Sequence, residues 1–185
     1  MRSSDCDILI VPGLGNSGPN HWQSRWQAKL STARRVEQAN WERADRMLWT
    51  GRVIEESERA MRPVVLIGHS CGALAVAHAA AQLAESKVRG AFLVAPPGAT
   101  AILAHEAIDD SFAPLPRSPF PFPSVLVASA NDPFCPLPEA EDLAFAWGSA
   151  FSIAGDAGHI NSDSGHGPWP DGSMRFAMFL KHLVA

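Results

Sequence analysis

Short apolar runs alternate with longer stretches of helical character along most of the chain. Ile8–Val11 and Val64–Ile67 are continuous apolar runs, and each ends close to a glycine. Such runs are typical of strands in a parallel sheet that helices cover on both faces. The pattern therefore predicts an α/β fold, a three-layer α/β/α sandwich with a mostly or fully parallel sheet of about six strands. The further predicted strands are Val36–Ala39, Val88–Val94, Val125–Ala128 and Phe151–Ala154.

Helical patterns occupy the segments between these strands. Trp22, Trp26 and Leu30 recur at four-residue spacing and so share one face of a helix. We predict that this helix runs from about His21 to Leu30, is capped by Asn20 and packs that face against the sheet. The other predicted helices are the alanine-rich segment 73–81 and the ranges Asp45–Met61, Ala101–Ala107, Pro138–Trp147 and Met174–Val184.

The composition is that of a globular protein of modest size. Of the 185 residues, 46% are hydrophobic and 18% are charged. A chain of this length is typical of one domain, so we expect a single domain over residues 1–185. No apolar run approaches the ~20 residues of a membrane helix. The apolar run near the N-terminus is too short for a secretory signal, so we expect a cytoplasmic protein that does not contact membranes.

Charge and cysteine content argue against several classes of function. The net charge is −4 and no block of basic residues is present, so nucleic acid is not an expected partner. The cysteines Cys6, Cys71 and Cys135 show no CxxC spacing, and the histidines show no HxH or HExxH spacing. We therefore expect reduced thiols and no metal site.

The least regular part of the chain lies between Pro96 and Pro123. This segment is rich in proline and shows little periodicity, which is typical of a surface excursion. Such a long connection could line one wall of a pocket or serve as a plain linker, and the sequence leaves both open. Four phenylalanines are equally ambiguous between an acyl pocket and the core: Phe112, Phe120, Phe122 and Phe134.

The segment Gly68-His69-Ser70-Cys71-Gly72 fits the pattern GxSxG between a predicted strand and a predicted helix. In a nucleophile elbow, a tight strand-to-helix turn exposes the serine hydroxyl at the carboxyl edge of the sheet, and flanking glycines avoid clashes. The helix N-terminus also favours negative charge that develops nearby. We therefore predict Ser70 as a nucleophile. Cys71 stands one position past the elbow, so its thiol is a poor competitor for that role.

A serine hydroxyl needs a base that accepts its proton, and the base needs an acid that fixes its tautomer. In this type of fold the chain order is Ser, then Asp or Glu, then His. Asp132 follows the predicted strand Val125–Ala128, and His159 follows the last predicted strand within a glycine-rich loop. These are the predicted acid and base, and His166 in the same loop is the alternative base. The rival acids are Asp109, Asp110, Glu139 and Asp142.

Acyl transfer also requires hydrogen-bond donors for the oxyanion. One is expected from the backbone N–H of Cys71, directly after the nucleophile. The loop Pro12-Gly13-Leu14-Gly15-Asn16 follows the first strand, and we predict the N–H of Leu14 as the second donor. This loop lacks the GxGxxG and Walker patterns, so a nucleotide site is a poor competitor. The substrate-pocket candidates are Gly13, Asn16, His21, His69, Phe134 and His166.

Four sequence segments occur together in one order along the chain. They are PGLGNSGPNHWQSRWQ near the start, GHSCGA at the elbow, ANDPFCP at the acid and AGHINSDSGHGPWPDG at the histidine. With these segments the chain resembles the small serine hydrolases related to retinoblastoma-binding protein nine, a group that includes YdeN-like bacterial proteins. The similarity spans essentially the whole chain. The long histidine segment is much more specific than GxSxG, and its motif position favours His159 over His166.

The resemblance implies a minimal α/β-hydrolase without a large lid, which hydrolyses small ester or amide substrates. The acyl-transfer mechanism expected for these residues requires no metal or organic cofactor. The resemblance also implies that Asn20, His21 and Trp22 shape the site near Leu14, by contact with substrate or by packing. Two other functions stay open: a protein-binding module that retains the hydrolase fold, and an acyltransferase that uses the same three residues. No sequence motif points to a particular protein partner.

Overall fold

Six parallel strands form one sheet at the centre of the molecule. The computed structural model describes residues 1–183. The strand order across the sheet is β2-β1-β3-β4-β5-β6, and all neighbouring strands pair in parallel. The predicted α/β fold with about six parallel strands is confirmed. The strands are β1 (Asp7–Val11), β2 (Ala33–Arg35), β3 (Val64–His69), β4 (Val88–Val94), β5 (Ser124–Ala128) and β6 (Ala150–Ile153).

Helices cover both faces of this sheet and bury a separate hydrophobic core on each. They are α1 (Trp22–Lys29), α2 (Arg46–Glu58), α3 (Cys71–Ala79), α4 (Ala99–Ala104), α5 (Leu137–Trp147) and α6 (Pro170–His182). Alternate residues of β1 enter different cores, as the period of a strand requires. Ile8 and Ile10 pack with α1 and α6, whereas Leu9 and Val11 pack with α2, α3 and α5. Within residues 1–183, no helix has the length and apolarity needed to cross a bilayer.

The second strand was predicted wrongly. β2 spans Ala33–Arg35, whereas the apolar pattern suggested Val36–Ala39. The strand lies at one edge of the sheet and its residues are only half-buried, so polar side chains are tolerated and no apolar run marks it. Val36 follows the strand directly, and its N–H donates a hydrogen bond of 2.8 Å to the carbonyl of Ile10.

Several helix and strand ends also differ from the predictions. The cap of α1 is His21 and not Asn20, because Nδ1 of His21 accepts a hydrogen bond from the N–H of Gln23. α6 begins at Pro170, earlier than predicted, because proline at the first helical position has no N–H that needs a partner. Its predicted end, Val184, lies outside the described residues. α2 and α4 end earlier than predicted, and β6 begins one residue earlier.

Because the strands are parallel, their carboxyl ends all lie at the same end of the sheet. The loops that follow the strands at this end contain the non-glycine residues of segment 1–183 that have positive φ. Such backbone costs roughly 1–3 kcal/mol per residue and clusters at functional sites. The residues are Asn16 (φ 65°), Ser70 (φ 54°), Ala95 (φ 50°) and Ile160 (φ 47°).

Candidate active site

Ser70 occupies a strained turn between the central strand β3 and helix α3. Its φ and ψ are 54° and −129°, which a residue with a side chain rarely adopts. The turn is tight because its neighbours pack closely. A Cβ atom on Gly72 would lie 2.1 Å from the carbonyl oxygen of Val11, and one on Gly68 would lie 2.8 Å from Cα of Ala73. Glycine at both positions therefore permits the turn that exposes the hydroxyl.

A continuous chain of hydrogen bonds connects Ser70, His159 and Asp132. Nε2 of His159 lies 2.9 Å from Oγ of Ser70, and Nδ1 lies 3.0 Å from each carboxylate oxygen of Asp132. A carboxylate only accepts hydrogen bonds, so the imidazole proton is on Nδ1 and Nε2 is free to accept from the serine. The side chains of His159 and Asp132 are 10% and 2% exposed. The structure thus brings together the three residues that the sequence selected.

The loops that carry Asp132 and His159 are hydrogen-bonded directly to each other. Oγ of Ser129 accepts a hydrogen bond of 2.9 Å from the N–H of Ala157. Oδ1 of Asn131 accepts one of 2.7 Å from the N–H of Gly158. The carboxylate of Asp132 is held in turn by the N–H of Phe134, which donates to Oδ1 at 2.9 Å. These bonds fix the acid and the base relative to each other.

Two buried histidines extend this arrangement behind the base. Nε2–H of His69 donates a hydrogen bond of 2.9 Å to the carbonyl oxygen of His159, and its ring lies 5.0 Å from that imidazole, centroid to centroid. Burial holds the pKa of His69 well below its usual range. Burial also lowers the pKa of His21 to about 4, and its ring lies 4.8 Å from that of His69. Both rings are therefore neutral near pH 7.

The loop after β1 lies against the elbow. A Cβ atom on Gly13 would be 2.7 Å from Cβ of Ser70, so the two backbones are in close contact, and Leu14 lines the same cavity as Ser70. The side chain of Gln23 is fully buried and anchors the base of this loop, since its Nε2 donates bonds of 3.2 Å to the carbonyls of Val11 and Ile67. The predicted oxyanion donors Leu14 and Cys71 thus border the nucleophile.

Cys71 contributes a buried thiol at this position. The residue is 1% exposed, and burial raises the pKa of the thiol to about 11, against the opposing effect of the Leu14 backbone N–H. A thiol with this pKa is protonated near pH 7 and is a weak nucleophile. Its backbone N–H at the start of α3 is the part suited to a role in the site.

A cavity of about 280 Å³ opens beside Ser70. Five of the predicted pocket candidates line it: Gly13, Asn16, His21, His69 and Phe134. The excursion between residues 96 and 123 supplies a further part of the lining through Pro97, Ala101, His105 and Ile108, and the histidine loop supplies Asn161, Ser162 and Asp163. These contributors were not identified individually from the sequence. Most of them lie on loops whose path no periodicity defines, and Ala101 lies on the short helix α4.

The remaining candidates lie elsewhere. His166 is not part of the cavity lining; its Nδ1 is 3.2 Å from Oγ of Ser164, and its ring packs edge-on against Trp169. Phe112 and Phe122 are buried in the core, and Phe120 packs against it. Three rival acids have other partners: Asp109 accepts from the N–H of Ser111, Glu139 accepts from the N–H of Ala99, and Asp142 pairs with Arg117. Within residues 1–183 no group of three or more potential metal ligands occurs.

Comparison with known proteins identifies the family. A family model described as serine hydrolase matches residues 8–178. The chain belongs to the serine hydrolase family. This serine hydrolase is similar to a YdeN-like hydrolase from Pectobacterium atrosepticum SCRI1043, with 36% identity, coverage of 99% of this chain and 95% of that chain, and a TM-score of 0.86. The resemblance to YdeN-like serine hydrolases is therefore confirmed.

More distant structures share the fold of this serine hydrolase. The ydeN gene product from B. subtilis is 19% identical, with coverage of 95% of this chain and 99% of that chain and a TM-score of 0.77. A hydrolase of the α/β superfamily from Xanthomonas campestris pv. campestris is 22% identical, with coverage of 95% and 98% and a TM-score of 0.65. No curated protein matches the sequence significantly.

Proposed function

We propose that this serine hydrolase cleaves small carboxylic esters or amides through an acyl-enzyme formed on Ser70. The observation that carries the proposal is the hydrogen-bond chain from Asp132 through His159 to the serine hydroxyl, with distances of 3.0 and 2.9 Å. A hydroxyl is a weak nucleophile at neutral pH, and an oriented imidazole base activates it. The cavity of about 280 Å³ beside the hydroxyl suits a small substrate.

In the first step, Oγ of Ser70 attacks the substrate carbonyl carbon while Nε2 of His159 takes the hydroxyl proton. The carbonyl oxygen becomes an oxyanion, for which the backbone N–H groups of Leu14 and Cys71 are the proposed donors. Asp132 stabilises the imidazolium that forms. The imidazolium then gives its proton to the leaving alkoxide or amine as the bond to the carbonyl carbon breaks, and the acyl group stays on Ser70.

In the second step, water hydrolyses the acyl-enzyme. His159 takes a proton from the water as its oxygen attacks the acyl carbon, and then returns that proton to Oγ of Ser70 when the ester bond breaks. The products are a carboxylic acid and free enzyme. The reaction consumes only substrate and water, and none of these steps is assigned to a cofactor or a metal ion.

A fluorophosphonate probe tests the proposal directly. We expect the probe to label the wild-type protein, and Ser70→Ala to abolish both labelling and ester hydrolysis, with a loss in kcat of at least about 10⁴-fold. Ser31→Ala removes an exposed serine far from the proposed chemistry and is the matched control, which should be labelled like wild type. A folded wild-type protein that resists labelling would contradict the proposal and favour the protein-binding alternative.

Product analysis defines the substrate class. A series of p-nitrophenyl esters of graded chain length, assayed beside aminoacyl amides, measures the preference between esters and amides. Competing alcohols and amines are then added. Formation of a new ester or amide in place of the free acid would identify an acyltransferase, because the acceptor would have replaced water in the second step.

A further inference from the structure

We propose that Asn16 selects the acyl group of the substrate by donating a hydrogen bond from its side-chain amide to an uncharged oxygen acceptor. The cavity would then prefer acyl groups that carry an ether, hydroxyl or carbonyl oxygen over hydrocarbon groups of the same shape. This inference rests on the proposed function, because the acyl group must be presented to Ser70. It adds a specificity determinant on the loop after β1.

The orientation of the Asn16 amide is fixed by two donors. The backbone N–H of Ser17 lies 2.7 Å from Oδ1 of Asn16, and Nη1 of Arg35 lies 2.6 Å from the same oxygen. A flipped amide would place its own N–H bonds against both donors, so the oxygen must occupy this position. Within residues 1–183 Nδ2 has no hydrogen-bond partner, and Asn16 lines the cavity. The free amide N–H bonds are therefore available to a substrate.

Arg35 holds Asn16 within a network of further hydrogen bonds. Its guanidinium donates to the carbonyl of Ser17 at 3.0 Å, to Oγ of Ser24 at 2.7 Å and to Oε1 of Gln27 at 3.1 Å. All its hydrogen-bond acceptors in the described chain are neutral. Burial lowers the pKa of the guanidinium group, and the charge of Glu37 opposes that effect. The guanidinium keeps its positive charge beside the Asn16 amide. It polarises the Asn16 amide and makes this wall attractive to electronegative atoms.

His21 adds a second donor to the same wall. Nδ1 of its ring accepts a hydrogen bond of 3.2 Å from the N–H of Gln23, so the ring proton is on Nε2. The side chain is 5% exposed and lines the cavity. Among the described residues, Nε2 has no hydrogen-bond partner. Asn16 and His21 therefore offer donors from one loop, which we call the first-loop wall (residues 13–21).

The excursion contributes an apolar part of the lining. Pro97, Ala101 and Ile108 supply apolar side chains to the lining. A methoxyacetyl group and a butyryl group differ only by an oxygen in place of a methylene, so both fit a cavity of the same size. Discrimination between them then depends on whether the oxygen meets a donor, and the burial of an unpaired oxygen costs free energy.

The test compares kcat/KM for p-nitrophenyl methoxyacetate and p-nitrophenyl butyrate. In Asn16→Asp, the carboxylate still accepts from Ser17 and Arg35, and Asp tolerates the positive φ, but the donor is gone. We expect the methoxyacetate-to-butyrate ratio to fall about tenfold relative to wild type. Division by the wild-type ratio removes the difference in intrinsic ester reactivity.

Two further variants make the outcome decisive. Asn16→Gly removes the side chain at no steric cost in the left-handed region, and it should lower the ratio similarly. Asn40→Asp is the matched control, since exposed Asn40 uses Oδ1 to accept from the N–H of Glu42 as an Asp would; its ratio should equal that of wild type. An unchanged ratio in both Asn16 variants would overturn the inference while fluorophosphonate labelling persists. Loss of labelling and of all hydrolysis in wild type would instead refute the proposed function.

Discussion

Two parts of the cavity lining are built on different physical principles. The first-loop wall is held by polar side chains: Arg35 donates to Asn16, and buried Gln23 ties the loop base to two strand ends. The second part, which we call the excursion wall (residues 96–108), is anchored by fully buried Ile102 and by a few bonds to its backbone. One of these is the N–H of Gly98 to the carbonyl of Phe134, at 2.9 Å.

The two kinds of support suit the two walls to different functions, the placement of hydrogen-bond donors and the selection of substrates by size. Hydrogen bonds depend strongly on direction and distance, so a wall fixed by them can place donors accurately at a reacting carbonyl. Apolar packing depends mainly on volume, so a wall fixed by it determines which groups fit. Substitutions in the first-loop wall should therefore change the rate of the chemical step and the folding equilibrium, whereas substitutions in the excursion wall should change substrate size preference.

Among substitutions in the two walls, the largest effect is expected for Gly13→Ala. The new Cβ atom would lie 2.7 Å from Cβ of Ser70, so the loop must move away from the elbow and carry the N–H of Leu14 with it. We expect kcat/KM to fall at least about 100-fold, the size of one lost oxyanion donor. Gly18→Ala is the control in the same loop, because its Cβ atom would have no neighbour within 4 Å; its loss should stay below about tenfold. Equal losses in both variants would contradict a tight contact at Gly13.

The second effect concerns stability as a function of pH. Unfolded histidine takes up a proton near pH 6.5, whereas burial lowers the pKa of His21 to about 4 in the folded protein. The contribution of His21 to the free energy of unfolding is therefore fully present above pH 6.5 and is lost as the pH falls toward 4. Between pH 7.5 and 5 this loss is about 2 kcal/mol. His69 changes stability in the same direction.

Chemical denaturation of His21→Asn at several pH values measures this contribution. Asparagine retains a helix cap but does not titrate, so the fall in the free energy of unfolding toward pH 5 should be smaller than in wild type. An identical pH dependence in the variant would show that His21 takes up its proton in the folded and unfolded states alike.

The smallest effect is expected in the excursion wall. Ala101→Leu adds apolar volume to the cavity lining, and we expect kcat/KM for p-nitrophenyl hexanoate to fall about fivefold relative to the acetate. Leu103→Ala is the matched control on the same helix, because Leu103 is 60% exposed and is not part of the cavity lining. If kcat/KM of Ala101→Leu depended on acyl-chain length as in wild type, the acyl group would not bind beside residue 101.

The central strands and the edge strand β6 were predictable, whereas the edge strand β2 was not. β3 and β4 are buried on both faces, so nearly every residue must be apolar, and the pattern marks them to within two residues. β2 is an edge strand whose half-buried arginines read as surface residues. Because hydrophobic patterning records burial and not hydrogen bonding, a half-buried strand made mostly of arginine leaves no clear signal.

The positions of the candidate nucleophile, acid and base could be predicted because each follows a strand that the pattern marks. Arg35 was missed, since it lies on the strand that was placed wrongly and its acceptors are 8 to 19 residues away in the chain. His69 was selected as a pocket residue, but its bond to the His159 carbonyl depends on a loop whose path comes from glycines at positive φ. The hydrophobic periodicity of a sequence segment does not indicate which loops contact each other.

The confinement of unfavourable backbone to one end of the sheet has a practical consequence for protein engineering. Residues such as Ser70 and Ile160 have backbone conformations that are unfavourable for residues with side chains. Substitutions that relieved this strain would displace the neighbouring groups of the active site. The opposite end of the sheet has no such constraint within residues 1–183. Thermostable versions of this enzyme should therefore be sought through redesign of the turns that precede the strands, with the loops that follow them left in their natural sequence.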